Sequence, residues 1–200
     1  MRGMPTTTTT RPSEARTRLL TTASRIFYSE GIHSVGVDRI IAQAQVTRAT
    51  FYRHFPGKED LVVAYLQGAD QAIRDQVASI IAEGRPAADT VQAVAAWIAH
   101  GIRSDGFRGC AFLNAAAEHH DPAHPVHRAV LAHRQWFLDT IHTLMADIDR
   151  TKSEAAAQHF VMLRDGAMAA GCLFDPELIC DTFLRGVEGL VLTHGARRTS

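Results

Sequence analysis

The chain has 200 residues, of which 46% are hydrophobic. That is enough to bury a sizeable core, and it excludes general disorder. The formal net charge is zero. No apolar run approaches the roughly 18–20 residues that span a bilayer, and the first residues lack the apolar core of a secretory signal. No membrane association and a cytoplasmic location are therefore expected. The three cysteines, Cys110, Cys172 and Cys180, are odd in number and widely spaced. They read as buried free thiols in a reducing compartment rather than a disulfide framework.

The balanced charge hides an asymmetry. Residues 1–60 hold nine Lys and Arg against five Asp and Glu, so the head carries +4 and the remainder −4. A polyanion is drawn to such a head.

In chain order, residues 1–12 are rich in Thr and read as a disordered tail, with Arg2 and Arg11 in reach of phosphates. From Ser13 the pattern turns helical. Leu19, Leu20, Ala23, Ile26 and Phe27 form one apolar stripe, and Gly31 stops it as a left-handed cap. A second, short helix covers Val37 to Ala44 and breaks at Gln45-Val46. Thr47 is a good N-cap for a third, Arg48 to Phe55, which Pro56-Gly57 ends. A long fourth helix starts near Lys58 and runs to Ile81. Beyond it, helical spacing recurs from Thr90 to Arg103, Cys110 to His119, Val126 to about Asp147, Ser153 (as cap) to Ala170, and Pro176 to Gly195. There is no β-alternating run and no hairpin signal, so the fold class is all-α.

Two short helices joined by a tight turn and preceded by a packing helix form a helix-turn-helix unit, whose second helix enters a major groove. Ala49 and Phe55, helped by Phe51, are its expected inward anchors. Arg48, Thr50, Tyr52, Arg53 and His54 crowd the remaining surface. Arginine reads guanine edges or clamps phosphates, and hydroxyls bond phosphate oxygens.

The run from Thr47 to Leu61, Thr-Arg-Ala-Thr-Phe-Tyr-Arg-His-Phe-Pro-Gly-Lys-Glu-Asp-Leu, resembles the recognition-helix signature of TetR/AcrR-family regulators. Val37 to Val46 is similar to their preceding helix and turn. The resemblance covers about residues 13–65. It implies DNA contacts for Thr47, Arg48, Thr50, Tyr52, Arg53 and His54, with Lys58 facing a phosphate. It also implies a domain plan: a tail at 1–12, a three-helix DNA-binding domain at 13–60, and a helical ligand-binding and dimerisation domain at 61–200, joined to the head by the long helix. The implied partners are an operator duplex, a second copy of the chain and an unknown small-molecule effector. Two positions depart from the pattern. Gly36 stands where Thr or Ser usually caps the second helix, and Gln45 stands where Gly usually makes the turn.

In the body, Trp97, Phe107, Phe112, Trp136 and Phe137, with Asn114 and His120 as polar anchors, are the candidate ligand site. Bundles commonly place ligands between helices. The ligand expected there is mostly apolar. Phe160, Leu163, Ala167, Phe183, Val187 and Leu190 are the candidate dimer interface. Cys110, near a helix N-terminus, is a conceivable redox sensor. The segment Glu118 to His127 holds the densest coordinating cluster, including His119, His120, Asp121, His124 and His127. It supports an alternative reading as a metal sensor or metal-dependent helical-bundle enzyme. Pro122 and Pro125 argue against one helix presenting those ligands together. No nucleophile elbow, P-loop, zinc-protease or dinucleotide motif is present, so no enzyme and no cofactor are expected.

Overall fold

A computed structural model describes residues 13–195. The expected tail at 1–12, with Arg2 and Arg11, lies outside the described residues. Nine helices and no strand occur among the described residues: α1 (Glu14–Glu30), α2 (Val37–Ala44), α3 (Arg48–His54), α4 (Lys58–Ala82), α5 (Ala87–Ile102), α6 (Ala111–Glu118), α7 (Pro125–Ile148), α8 (Ser153–Ala170) and α9 (Pro176–Gly195). The chain divides into two compact units between Tyr65 and Leu66. α4 gives its first two turns to one and the rest to the other.

In the first unit the helix ends follow local chemistry. The Ser13 hydroxyl accepts the Arg16 N–H at 3.3 Å, which caps α1. At the other end Gly31, at φ 89°, returns its N–H to the Phe27 carbonyl. Gly36 starts α2 with no side-chain cap. Gln45 ends it at φ 52°, ψ 51°, a left-handed conformation that costs a residue with a Cβ roughly 1–2 kcal/mol. Leu19, Ile26, Ile40, Phe51 and Leu61 are fully buried. Each contributes about 1.5–3 kcal/mol of hydrophobic free energy. Phe51 and Phe55 pack with ring centroids 6.1 Å apart and hold α3 on this core. The expected third anchor, Ala49, is instead exposed. Only one side of the two-turn α3 faces inward, and the two phenylalanines occupy it.

In the second unit α5, α7, α8 and α9 pack around Ile98, Phe137, Ile141, Phe160, Phe183 and Val187. Phe137, Phe160 and Phe183 form a chain of rings with centroids 6.3 and 6.2 Å apart. Gly171 follows α8 where an added Cβ would lie 2.6 Å from Ile102 Cγ2, so only glycine lets α5 and α8 approach this closely. Arg103, at the end of α5, binds Glu177 at 2.6 Å and Asp181 at 3.0 Å on α9. Short α6 packs on α7.

Some helix ends differ from the expectation. α5 begins at Ala87 rather than Thr90, because the Thr90 hydroxyl turns back to the Pro86 and Arg85 carbonyls. Ser153 is not the cap of α8 but its first residue. It is buried, and it meets His142 Nε2 at 3.0 Å. Asp175 does cap α9, accepting the Glu177 N–H at 3.0 Å. Cys110 and Cys180 are buried as expected, but Cys172 is exposed. Burial pushes the Cys180 thiol above its ordinary value.

Candidate functional site

α3 exists because Thr47 initiates it. The Thr47 hydroxyl accepts the Thr50 N–H at 3.1 Å and lies 2.9 Å from the Thr50 hydroxyl. With Phe51 and Phe55 turned inward, the helix presents Arg48, Ala49, Tyr52 and Arg53 to solvent. The Tyr52 ring stands edge-on to Phe51 at 5.1 Å, which leaves its hydroxyl end outward. Arg48 pairs with Asp38 of α2, both side chains being well exposed. His54 is half-buried, with Nε2 3.0 Å from the Ser13 hydroxyl. Lys58 is half-buried in the first turn of α4. Around this face, Arg39 and Glu30 form a two-point pair at 2.5 and 2.7 Å that ties α2 to α1. The Arg39 bond holds the Glu30 carboxyl below its ordinary value. The exposed face of α3 is cationic and carries hydroxyls, fit for a phosphate-lined groove.

In the body the structure brings Phe112, Trp136 and Phe137 together around a residue the sequence reading passed over, His133. Its ring stacks on Phe112 at 3.6 Å and 7°, and lies 5.7 Å from Trp136 and 6.5 Å from Phe137. Trp97 and Phe107 are partly buried against the wider core. The two polar anchors are elsewhere. Asn114 donates to the Arg108 carbonyl at 2.9 Å, and His120 is exposed in the α6–α7 loop. A separate open cleft of about 310 Å³ lies between α5 and α9, lined by Gln92, Ala95, Asp181, Leu184, Arg185, Val187 and Glu188. Val187, a dimer-interface candidate, lines it, but none of the ligand candidates does.

Arg164 was also missed. It is 3% exposed on α8, over the Phe137 ring. The available signal was register. His133 falls among Val126, Val130, Phe137 and Ile141 on the buried stripe of α7. Arg164 falls between Phe160 and Ala167 on that of α8.

Most of the interface candidates lie inside the protomer. Phe160, Ala167, Phe183, Val187 and Leu190 are buried in the protomer's own core, and Leu163 is partly so. The residues that α8 and α9 leave outward include Met162, Gly166 and Ala169, and Leu178, Gly189 and Leu192.

The histidine-rich segment does not form a metal centre. Among the described residues no three His, Cys, Asp or Glu are placed to hold an ion. His119 and His127 turn Nδ1 to the carbonyls of Ala115 and His119, and His124 Nδ1 accepts the Val126 N–H to cap α7. Among the described residues no helix is long and apolar enough to cross a membrane.

Residues 19–65 match the family model described as bacterial regulatory proteins, tetR family. The whole chain is similar to SCO4454, a TetR-family transcriptional regulator from Streptomyces coelicolor of known crystal structure. The two are 65% identical, with 91% of this chain and 96% of that one covered and a TM-score of 0.89. The chain belongs to the TetR family. Members of that family are transcriptional regulators rather than enzymes, and α2, the turn and α3 form the helix-turn-helix of this TetR-family protein. Among curated relatives, it is 28% identical over 81 residues to the regulator LmrA of Bacillus subtilis. It is 38% identical over 69 residues to the transcriptional activator FasR of Mycolicibacterium smegmatis. These matches span only 43% and 32% of those proteins' lengths.

Proposed function

We propose that this TetR-family chain is a cytoplasmic, homodimeric repressor that binds a near-palindromic operator and leaves it when its body takes up a small organic molecule. The observation that carries the reading is the exposed face of α3. Arg48, Tyr52 and Arg53 point outward from a helix anchored by Phe51 and Phe55, with Thr47, Thr50, His54 and Lys58 beside them. The first three reach base edges or phosphates, and the others position the helix on the backbone. A single small head makes few phosphate contacts, so a two-fold dimer with heads about one helical turn, ~34 Å, apart supplies the affinity.

The dimer uses the outward stripes of α8 and α9. An isologous interface needs an apolar face that the protomer has not already buried. Met162 on α8 and Leu192 on α9 are 72% and 62% exposed. A Cβ added to Gly166 or Gly189 meets nothing within 4 Å, so neighbouring backbones can come close there.

The effector binds among Phe112, Trp136 and Phe137, and release travels through α4, which continues from the head into the body. A preference of 1–3 kcal/mol for the released state lowers DNA affinity roughly 5–150-fold. The test is a gel shift with the duplex that flanks the chain's own gene, with and without candidate effectors. A protein that retards no duplex from that region, at low salt and as a dimer, sinks the reading. Activation rather than repression of a reporter would reverse its sign only.

A further inference from the structure

Two of the buried side-chain atoms without a hydrogen-bond partner, His133 Nε2 and Arg164 Nε, belong to residues that pack on the same ring. His133 is 1% exposed, and its Nδ1 lies 2.7 Å from Asp70 Oδ1. A carboxylate only accepts, so Nδ1 carries the proton and Nε2 is left as a bare lone pair. Nε2 is buried with no hydrogen-bond partner. Arg164, on the facing helix α8, is 3% exposed and leaves its Nε–H equally without an acceptor. Both pack on Phe137: the Arg164 guanidinium sits 5.0 Å from the ring centroid and the His133 ring 6.5 Å from it.

The charges around them do not balance. Arg164 binds Asp165 at 2.9 Å, but Arg134 binds the same carboxylate at 2.6 Å. The other hydrogen bond of the Arg164 guanidinium is to Cys110 Sγ at 3.5 Å, a weak acceptor. Arg74 is matched by Asp70. Three guanidiniums thus share two carboxylates, and the most buried of them, Arg164, has only half of Asp165; buried charge is costly unless paired.

We propose that the effector is an organic carboxylate, bound with its anionic head between Arg164 and His133 and its hydrocarbon body against Phe137 and Trp136. This deepens the effector reading above and rests on it. One oxygen accepts the Arg164 Nε–H. The other lies at His133 Nε2, which takes up a proton to become a second donor. The ligand displaces Phe112, carried on the two-turn α6, from the His133 face. The charged groups that bear on His133 are Asp70 and Arg74 of α4 and Arg164 of α8, and Arg164 in turn contacts Asp165, which Arg134 also binds, and Cys110 before α6. Binding therefore acts on the His133–Asp70 bond, and through it on α4.

The test uses the full-length protein and two probe pairs: phenylacetate and 2-naphthylacetate, each against its neutral primary amide. Tryptophan fluorescence reports binding, since Trp136 lies 5.7 Å from the His133 ring. We expect each acid to bind roughly ten- to a hundredfold more tightly than its amide, the worth of one charge-assisted bond. We also expect tighter binding at about pH 6 than at about pH 8, because the site takes up a proton. Arg164→Gln, checked for fold by circular dichroism, should erase the acid's advantage over its amide. Acids that do not bind at millimolar concentration, or amides that bind equally well, overturn the carboxylate proposal. An unchanged acid–amide ratio in Arg164→Gln does the same. Acid binding through Arg164 that leaves operator affinity untouched would keep this site and defeat the effector reading instead.

Discussion

His133 Nδ1 lies 2.7 Å from Asp70 Oδ1, and this bond joins the buried stripe of α7 to α4 across 63 residues of sequence. Asp70 also binds Arg74 at 2.7 Å, one turn along its own helix. The carboxylate therefore answers both a buried neutral ring and a guanidinium. Burial is the largest single effect and raises its pKa, but the bonds and charges of Arg74 and His133 together hold it below the ordinary value.

Removing that carboxylate should leave the buried Nδ1–H without an acceptor. Asp70→Ala is expected to lower stability by about 1–3 kcal/mol. Asp70→Asn, whose amide oxygen can still accept, should recover a good part of the loss. Urea unfolding midpoints measure both. An alanine variant as stable as the parent would show that the bond contributes nothing.

The same ring predicts a pH effect. Burial, the largest cause, and Arg164 lower the His133 pKa from its ordinary 6.5, outweighing the Asp70 bond that raises it. The unfolded chain then binds the proton more readily than the folded one, so stability rises with pH in this window. The His133 contribution is complete above about pH 6.5 and is lost as pH falls from there toward the depressed folded value. His133→Gln should flatten this part of the stability–pH curve. Parallel curves for parent and variant between about pH 7 and 5.5 would refute it.

Gln45 holds a left-handed turn at φ 52° between α2 and α3. Glycine adopts that conformation without a Cβ clash. Gln45→Gly should stabilise the head by about 1 kcal/mol, net of the backbone entropy that glycine adds to the unfolded chain. Hydrogen exchange of the α2 and α3 amides reads this locally. Faster exchange in the variant would contradict it.

For operator binding, Arg48→Ala and Tyr52→Phe should each weaken the complex, the arginine by about 1–3 kcal/mol if it reads a base. Asp38→Asn should strengthen it, because Asp38 pairs with Arg48 beside the expected phosphates. Affinity should fall steeply with added salt through counterion release. Titrations of a fluorescent duplex decide these points. If Arg48→Ala and Tyr52→Phe bind as the parent does, α3 is not the reading helix.

Met162→Glu combined with Leu192→Glu should give folded monomers in sedimentation, since both side chains are exposed in the protomer. A charge at Leu190 would be a poor test: that residue is 6% exposed in the core, and the substitution would unfold the body. A double variant that remains dimeric at micromolar concentration would place the interface on another surface.

The sequence alone determined the head almost completely. Its helices are short, each carries its own start or stop in Ser13, Gly31, Gly36, Thr47 and Pro56, and local hydrogen bonds and backbone preferences decide such ends. The face of α3 was legible because Phe51 and Phe55 anchor it, although Ala49 was assigned inward when it lies outward. In the body, only the tertiary structure decided which residues do what. α8 and α9 carry apolar side chains on more than one face, so periodicity could not tell the core side, with Phe160 and Val187, from the open side, with Met162 and Leu192. His133 and Arg164 occupy positions where a helix stripe is otherwise hydrocarbon, and their chemistry depends on groups distant in the chain: Asp70 for His133, and Cys110 and Phe137 for Arg164. A helix end is set by its own few residues. A buried charge is set by whatever distant groups the packing brings to it, and those distances exist only in the folded chain.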